Sequence, residues 1–232
     1  MNAVLLLFRS SIGRKVVMAV TGIALFGFVV AHMAGNLQAF LGPTRLDEYG
    51  AALRKVPALL WTMRFGLLGA ALLHVWSAIS LTRDSWAARP QGYRSLRPQD
   101  SSYASRSMRI TGVVVLGFIV YHLLHFTTGD LHPDFIEGGV NHNLVVGLRV
   151  VPVLLFYVVA QVCLGFHLWH GVWSMTQTLG LAHPRYDAWR RSFAMAFTLI
   201  VVLGFSAVPL GVMTGLIAEA PPLAAASLPS GR

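Results

Sequence analysis

The sequence predicts an all-α integral membrane protein of five transmembrane helices, the first four forming a bundle around paired histidines. Three observations carry this expectation. The chain of 232 residues is 55% hydrophobic and only 12% charged, with a mean hydropathy of +0.62. Five apolar stretches, residues 16–41, 58–81, 110–128, 150–177 and 193–217, are each long enough to cross a ~30 Å hydrocarbon core at ~1.5 Å per residue. Each of the first four stretches carries a histidine near one end: His32, His74, His122 and His167.

Taken in order, the first stretch follows Arg9, Arg14 and Lys15, and no small-residue cleavage pattern comes after it. It is therefore expected to be a span, not a signal peptide. Pro57 marks the start of the second. A polar, basic stretch from Arg83 to Arg109, rich in Arg, Ser, Gln and Pro, separates the second from the third. That stretch reads as a solvated connection that sets topology or as a docking surface for cytoplasmic subunits. Asp130, Asp134 and Glu137 follow the third span, and Arg149 precedes the fourth. The fifth contains no histidine. Residues 1–220 are read as one five-helix domain, and 221–232, rich in Pro, Ala and Ser, as a frayed tail.

A net charge of +9 would suggest nucleic acid in a soluble protein. Here the charges follow topology. With the N-terminus inside, twelve Arg or Lys residues (Arg9, Arg14, Lys15, Arg83, Arg89, Arg94, Arg97, Arg106, Arg109, Arg185, Arg190, Arg191) fall on the inner side. Only Arg45, Arg54, Lys55, Arg64, Arg149 and Arg232 remain outside, so the positive-inside bias selects N-in, C-out. No nucleic-acid partner is expected; the bilayer is. The single Cys163 permits no intrachain disulfide, and no Cys-x-x-Cys-His motif offers covalent haem attachment.

The histidines sort into pairs. Span one reads Thr21-Gly22, four residues, Gly27-Phe28, then Val30 and His32; span three reads Thr111-Gly112, four residues, Gly117-Phe118, then Val120 and His122. Both run from inside to outside, so these histidines share a depth. Spans two and four share His74-Val-Trp76 and His167-Leu-Trp169 and run the other way. His32 lies seventeen residues beyond Lys15, or ~25 Å of helix, in the outer half. His167 lies eighteen residues inward of Arg149, and Pro57 as the outer end of span two puts His74 at a matching inner depth. The pairs are His32 with His122 and His74 with His167.

An imidazole inside a bilayer is a functional candidate by default, and a lone one is often only hydrogen-bonded to a neighbouring helix. Four in matched pairs favour ligation. Two imidazoles without Cys, Asp or Glu make an incomplete zinc site but complete a six-coordinate haem iron. The expectation is thus two b-type haems with His32, His74, His122 and His167 as the iron ligands. The repeat register selects His122 over His125 and His167 over His170. The spare pair, His125 and His170, could reach haem propionates near the membrane surfaces or make plain helix contacts. Several glycines (Gly22, Gly27, Gly35, Gly66, Gly69, Gly112, Gly117, Gly165, Gly171) could let a flat macrocycle or another helix approach.

With this pattern in place, the chain resembles the dihaem cytochrome b558-type membrane subunit of succinate dehydrogenases and fumarate reductases. The resemblance runs from Ser10-Ser-Ile-Gly-Arg-Lys15 to span five. It rests on Val-Thr21-Gly22 leading to Ala-His32-Met-Ala-Gly-Asn36, on Ile-Thr111-Gly112 leading to Tyr-His122-Leu-Leu-His125, and on Gly165-Phe-His167-Leu-Trp-His170-Gly-Val-Trp173-Ser followed by Thr-Leu-Gly180-Leu-Ala-His-Pro184. It implies a bacterial cytoplasmic-membrane subunit with two haems b, one ligand on each of helices one to four. It also implies a flavoprotein and an iron–sulfur partner on the cytoplasmic side, and exchange with quinone, menaquinone being the expected species. Catalysis at succinate would belong to the partner. Some fumarate reductases of this family carry a glutamate two residues before the helix-four ligand; here that position is Gly165, which favours succinate oxidation. For the quinone, Asn36, Gln38, Asp47 and Glu48 at the outer end of spans one and two offer polar groups, Glu48 foremost for its reach. The alternatives are a haem-free anchor and the dihaem subunit of another oxidoreductase, such as nitrate reductase, whose ligands include the last helix. A transporter would show buried acids or broken helices in the spans, and the five spans hold no buried Asp or Glu.

Overall fold

The computed structural model describes residues 7–88 and 103–219. Helix α1 (Ser11–Leu37) starts where the Ser10 hydroxyl accepts from the Gly13 N–H at 3.0 Å. It ends in a 3-10 turn, Gln38–Leu41, and at Gly42, whose φ of 135° only glycine adopts without strain. A short helix α2 (Arg45–Arg54) follows, then α3 (Pro57–Ala87), opened by a proline that gives up no helical hydrogen bond there. Next come α4 (Tyr103–Phe126), a second short helix α5 (Val140–Arg149), and α6 (Val151–Thr178). Gly180 turns the chain at φ 75°, the Leu181 N–H closing back on the Thr176 carbonyl at 2.9 Å, before α7 (Asp187–Met213).

Among the described residues, five helices are long and apolar enough to cross a membrane: α1, α3, α4, α6 and α7. Their large apolar side chains are mostly exposed, among them Leu68 and Leu72 of α3, Val113 of α4 and Leu203 of α7. For a soluble protein this would be a liability; for a membrane protein it is the lipid-facing surface. The chain is a multi-pass membrane bundle.

The helices pack in two pairs. α1 lies along α3 and α4 along α6, while α7 closes against α6 and α1. Among the described residues α3 and α4 do not pack along one another, and neither do α1 and α4 or α3 and α6. At the end bearing the N-terminus, α3 and α4 reach each other through Arg109, whose guanidinium lies 5.4 Å over the Trp86 ring. Both helices extend into the 83–109 stretch, expected from sequence to be a solvated connection, because Arg83, Arg106 and Arg109 tolerate a helix end at the polar interface. The remainder of that stretch and the tail 221–232 lie outside the described residues.

The buried core sits at the opposite end, where α2 and α5 form a cap. Leu46, Leu144, Val145, Leu148, Tyr157 and Val212 are its main members. The cap is knitted by polar groups that would otherwise be stranded. The Asn141 N–H in the first turn of α5 donates to Asp47 Oδ1 at 2.9 Å, the acceptor that turn lacks on its own. Asn143 folds the preceding loop around itself, accepting from Ile136 N and donating to Ile136 O, both at 2.8 Å. The sequence predicts no helix between the third and fourth spans. The structure forms α5 there, because Leu144, Val145 and Leu148 find an apolar seat only once the spans are assembled.

His142 fastens the segment after α7 to this cap. Its Nδ1 lies 2.6 Å from Glu219 Oε1 and its Nε2 3.2 Å from Asp134 Oδ2. The hydrogen bond to Glu219 raises the His142 pKa above its ordinary 6.5. Because the folded value is raised, the stabilisation is complete below the unfolded value and is lost as pH rises through the folded one. Thermal melts should therefore show a loss of stability as pH rises above the ordinary imidazole value of about 6.5, a loss that disappears in His142→Gln. Parallel pH profiles for the two proteins would contradict it.

Candidate functional site

The four histidines meet in the two predicted pairs. His32 of α1 faces His122 of α4 with ring centroids 5.7 Å apart and planes at 84°. His74 of α3 faces His167 of α6 at 6.2 Å and 60°. Each pair thus joins helices that do not pack along each other, the imidazoles reaching across an interval the backbones leave open. Gly22 and Gly112 lie beside the second pair, ten residues from His32 and His122 along α1 and α4, so the two levels are about 15 Å of helix apart.

The internal repeat is visible in how the second pair is held. A Cβ on Gly22 would stand 3.5 Å from His74 Cε1, and one on Gly112 would stand 3.5 Å from His167 Cε1. Each Thr-Gly step of the repeat is therefore a seat for the imidazole of the neighbouring helix. His74 Nδ1 lies 3.1 Å from the Met18 carbonyl and 3.3 Å from Thr21 Oγ1. A carbonyl only accepts, and Thr21 spends its own proton on the Val17 carbonyl at 2.7 Å. His74 must then carry its proton on Nδ1, which leaves the Nε2 lone pair free. His167 Nδ1 is buried and, among the described residues, has no hydrogen-bond partner.

The first pair is enclosed by aromatic rings. Phe28 stacks on His32 at 5.2 Å and 16°, with Phe205 at 5.9 Å. Phe118 and Phe126 flank His122, each at 5.6 Å. The Tyr157 hydroxyl stands 3.3 Å from His122 Nδ1 and 2.9 Å from His125 Nδ1. Sequence reasoning missed Tyr157 altogether. The one available signal was that a phenol inside a span needs a hydrogen-bond partner.

Such pairs fit a haem. Two imidazoles on opposite faces of one iron place their centroids about 6 Å apart, since a metal–imidazole bond is about 2 Å. Among the described residues no cluster of three or more His, Cys, Asp or Glu side chains forms. Each pair offers two nitrogen donors, the number an iron already held by four macrocycle nitrogens still needs.

The remaining candidates are distributed differently. His125 is fully buried at the capped end, its Nε2 without a partner among the described residues, against His132 at 5.0 Å. It is a buried residue of the cap, which closes over it at the end of the spans. His170 is half-buried one turn beyond His167. Glu48 is not brought to the histidines. It is exposed, its carboxylate held by Thr44 Oγ1 at 3.2 Å and Arg45 Nη1 at 3.1 Å. Asp47 turns inward instead and caps α5.

The end bearing the N-terminus gathers cations. Arg14 bonds Ser80 and pairs with Asp84 at 2.5 Å, joining α1 to α3. Arg190, itself buried, pairs with Asp187 and bonds Thr176 Oγ1, both at 2.6 Å. Its guanidinium lies 4.2 Å over the Trp173 ring, and that of Arg191 lies 4.7 Å from the same ring.

Residues 88–207 match the family described as the succinate dehydrogenase/fumarate reductase transmembrane subunit. The matched stretch takes in α4, α6 and most of α7, and with them His122 and His167. No individual curated protein and no solved structure matches the chain.

Within that stretch Gly165 is buried at the crossing of α6 and α7. A Cβ there would stand 2.6 Å from Val202 Cγ2 and 3.5 Å from Thr198 Cγ2, so a longer side chain enters only if Val202 of α7 gives way. Gly165→Ala should cost about 1–3 kcal/mol, read as a lowered melting temperature, and adding Val202→Ala should recover part of the loss. Equal stability of Gly165→Ala and the native chain would show that α7 does not press on α6 there.

Proposed function

Since the chain belongs to the succinate dehydrogenase/fumarate reductase transmembrane subunit family, we propose that it is the membrane-anchor cytochrome b of such a complex. In this reading it carries electrons through two bis-histidine haems b between an iron–sulfur subunit and membrane quinone, menaquinone being the expected species. The observation that carries the proposal is the meeting of two imidazole pairs across helices that are otherwise held apart. When bound, each haem supplies a one-electron couple that no side chain of this chain provides.

The protein's own part is binding and positioning. His32 and His122 would hold one haem, His74 and His167 the other. The Met18 carbonyl fixes the His74 proton on Nδ1, so that Nε2 is the nitrogen offered. Phe28, Phe118, Phe126 and Phe205 exclude water around the first pair. Gly22 and Gly112 let α1 and α4 come close to the second.

The basic end built from Arg14, Arg190 and Arg191 is the side we assign to the cytoplasm and to the iron–sulfur and flavoprotein subunits, as the positive-inside bias favours. On this assignment the His74/His167 haem lies nearer that partner and the His32/His122 haem nearer the capped, outer end. The C-terminus is then outside, in a bacterial cytoplasmic membrane. Gly165 in the position of the glutamate found in some fumarate reductases supports succinate oxidation as the direction, with catalysis at succinate left to the partner.

Haem content of purified variants tests the ligand set. His74→Ala and His167→Ala should each remove the same haem, and His32→Ala and His122→Ala the other, taking the chain from two haems to one. Retention of both haems in His122→Ala, with loss in His125→Ala, would move the ligand one helical turn.

A further inference from the structure

The Tyr157 hydroxyl stands between two imidazoles, and the internal repeat does not account for it. It lies 2.9 Å from His125 Nδ1 and 3.3 Å from His122 Nδ1, inside the buried core of the capped end. A phenol has one proton, so it donates to one nitrogen and accepts from the other. Two arrangements are possible. In the first, His122 Nδ1–H donates to Tyr157 and Tyr157 O–H donates to His125 Nδ1. In the second, both bonds reverse and His122 carries its proton on Nε2, towards His32.

Two observations select the first. The shorter distance suits O–H donation and the longer one N–H donation. At the other pair His74 carries its proton on Nδ1, bonded to the Met18 carbonyl, so the first arrangement gives both levels the same tautomer. In either arrangement His132 leaves the His125 Nδ1 to Tyr157. The His132 Nε2–H donates to the Asn143 carbonyl at 2.8 Å, and its Nδ1 accepts from the Asp134 N–H at 3.1 Å. Tyr157 is thus the one hydrogen-bonding partner of His125 among the described residues.

We propose that Tyr157 is a positioning residue for His122: it accepts from His122 Nδ1–H, donates its own proton to His125 Nδ1, and so presents the His122 Nε2 lone pair to the space shared with His32. The inference rests on the haem reading of that pair. A hydrogen bond accepted from the far nitrogen makes an imidazole a stronger donor to iron, which favours the oxidised metal. Removing the acceptor favours the reduced one.

The test is an optical redox titration of the assembled complex carrying Tyr157→Phe, which keeps the ring in its packing and deletes the hydroxyl. Both haems should remain. The midpoint potential of one should rise, its reduced-to-oxidised ratio at a fixed potential increasing up to about tenfold, ~59 mV for a one-electron couple. The other potential should not move, nor should either in Tyr121→Phe, a matched deletion of a hydroxyl in the same aromatic cluster. Two retained haems with both potentials unchanged would overturn the inference and leave the haem reading standing. A native complex without haem in this chain would overturn both. Should Tyr157→Phe fail to accumulate, the far end of the hydrogen-bond chain provides a second test. His125→Leu should shift the same potential and His125→Asn, with an amide near the Nδ1 position, should restore it. Identical potentials in the native protein and both His125 variants would overturn the proposal.

Discussion

A polar nitrogen without a partner costs several kcal/mol in hydrocarbon, and this chain places four imidazoles there in facing pairs. The rest of the architecture follows from that constraint. Were the histidines merely helix-to-helix glue, the helices bearing them would be drawn together. Instead α1 and α4, and likewise α3 and α6, are kept from packing along each other while their imidazoles stand 5.7 and 6.2 Å apart. Close packing is directed elsewhere, along α1/α3 and α4/α6, with α7 sealing one side through contacts as near as Gly165 on Val202.

Holding helices apart in a membrane requires that something else fix their spacing. The cap does so at one end, where α2 and α5 cover the tops of the spans and the buried apolar cluster lies. Its polar stitches, Asp47 to Asn141 and Asn143 to Ile136, satisfy backbone groups that the short helices and the loop would otherwise leave open. At the other end long cationic side chains take that role, Arg14 across to Ser80 and Asp84 and Arg190 between α6 and α7. A bundle fastened at both ends, with imidazole pairs between helices that do not pack along each other, suits the proposed ligation.

The five spans were legible because length and hydropathy alone bound a bilayer-crossing helix. The histidine pairs were legible for a different reason. The repeated Thr-Gly motif marks the seat of the neighbouring helix's imidazole, so the pattern that fixed the register also has a physical task. The short helices α2 and α5 were not legible, since ten residues of mixed polarity gain their stability from the assembled cap and not from their own periodicity. Choosing between Asp47 and Glu48 was equally beyond sequence. Only the docking of α5 decides which carboxylate faces inward. Tyr157 escaped because it lies in no repeat, and its importance depends on two histidines converging on one hydroxyl.

The proposed function requires two irons per chain, and two imidazoles for each would leave none of them a free position for an added ligand. The most direct measurement is a quantitative haem determination on the purified native protein, together with reduced-state absorption spectra before and after carbon monoxide. Two haems b per chain, with bands unchanged by carbon monoxide, are the expected result. A haem-free chain, a single haem, or bands that shift on exposure to carbon monoxide would contradict it.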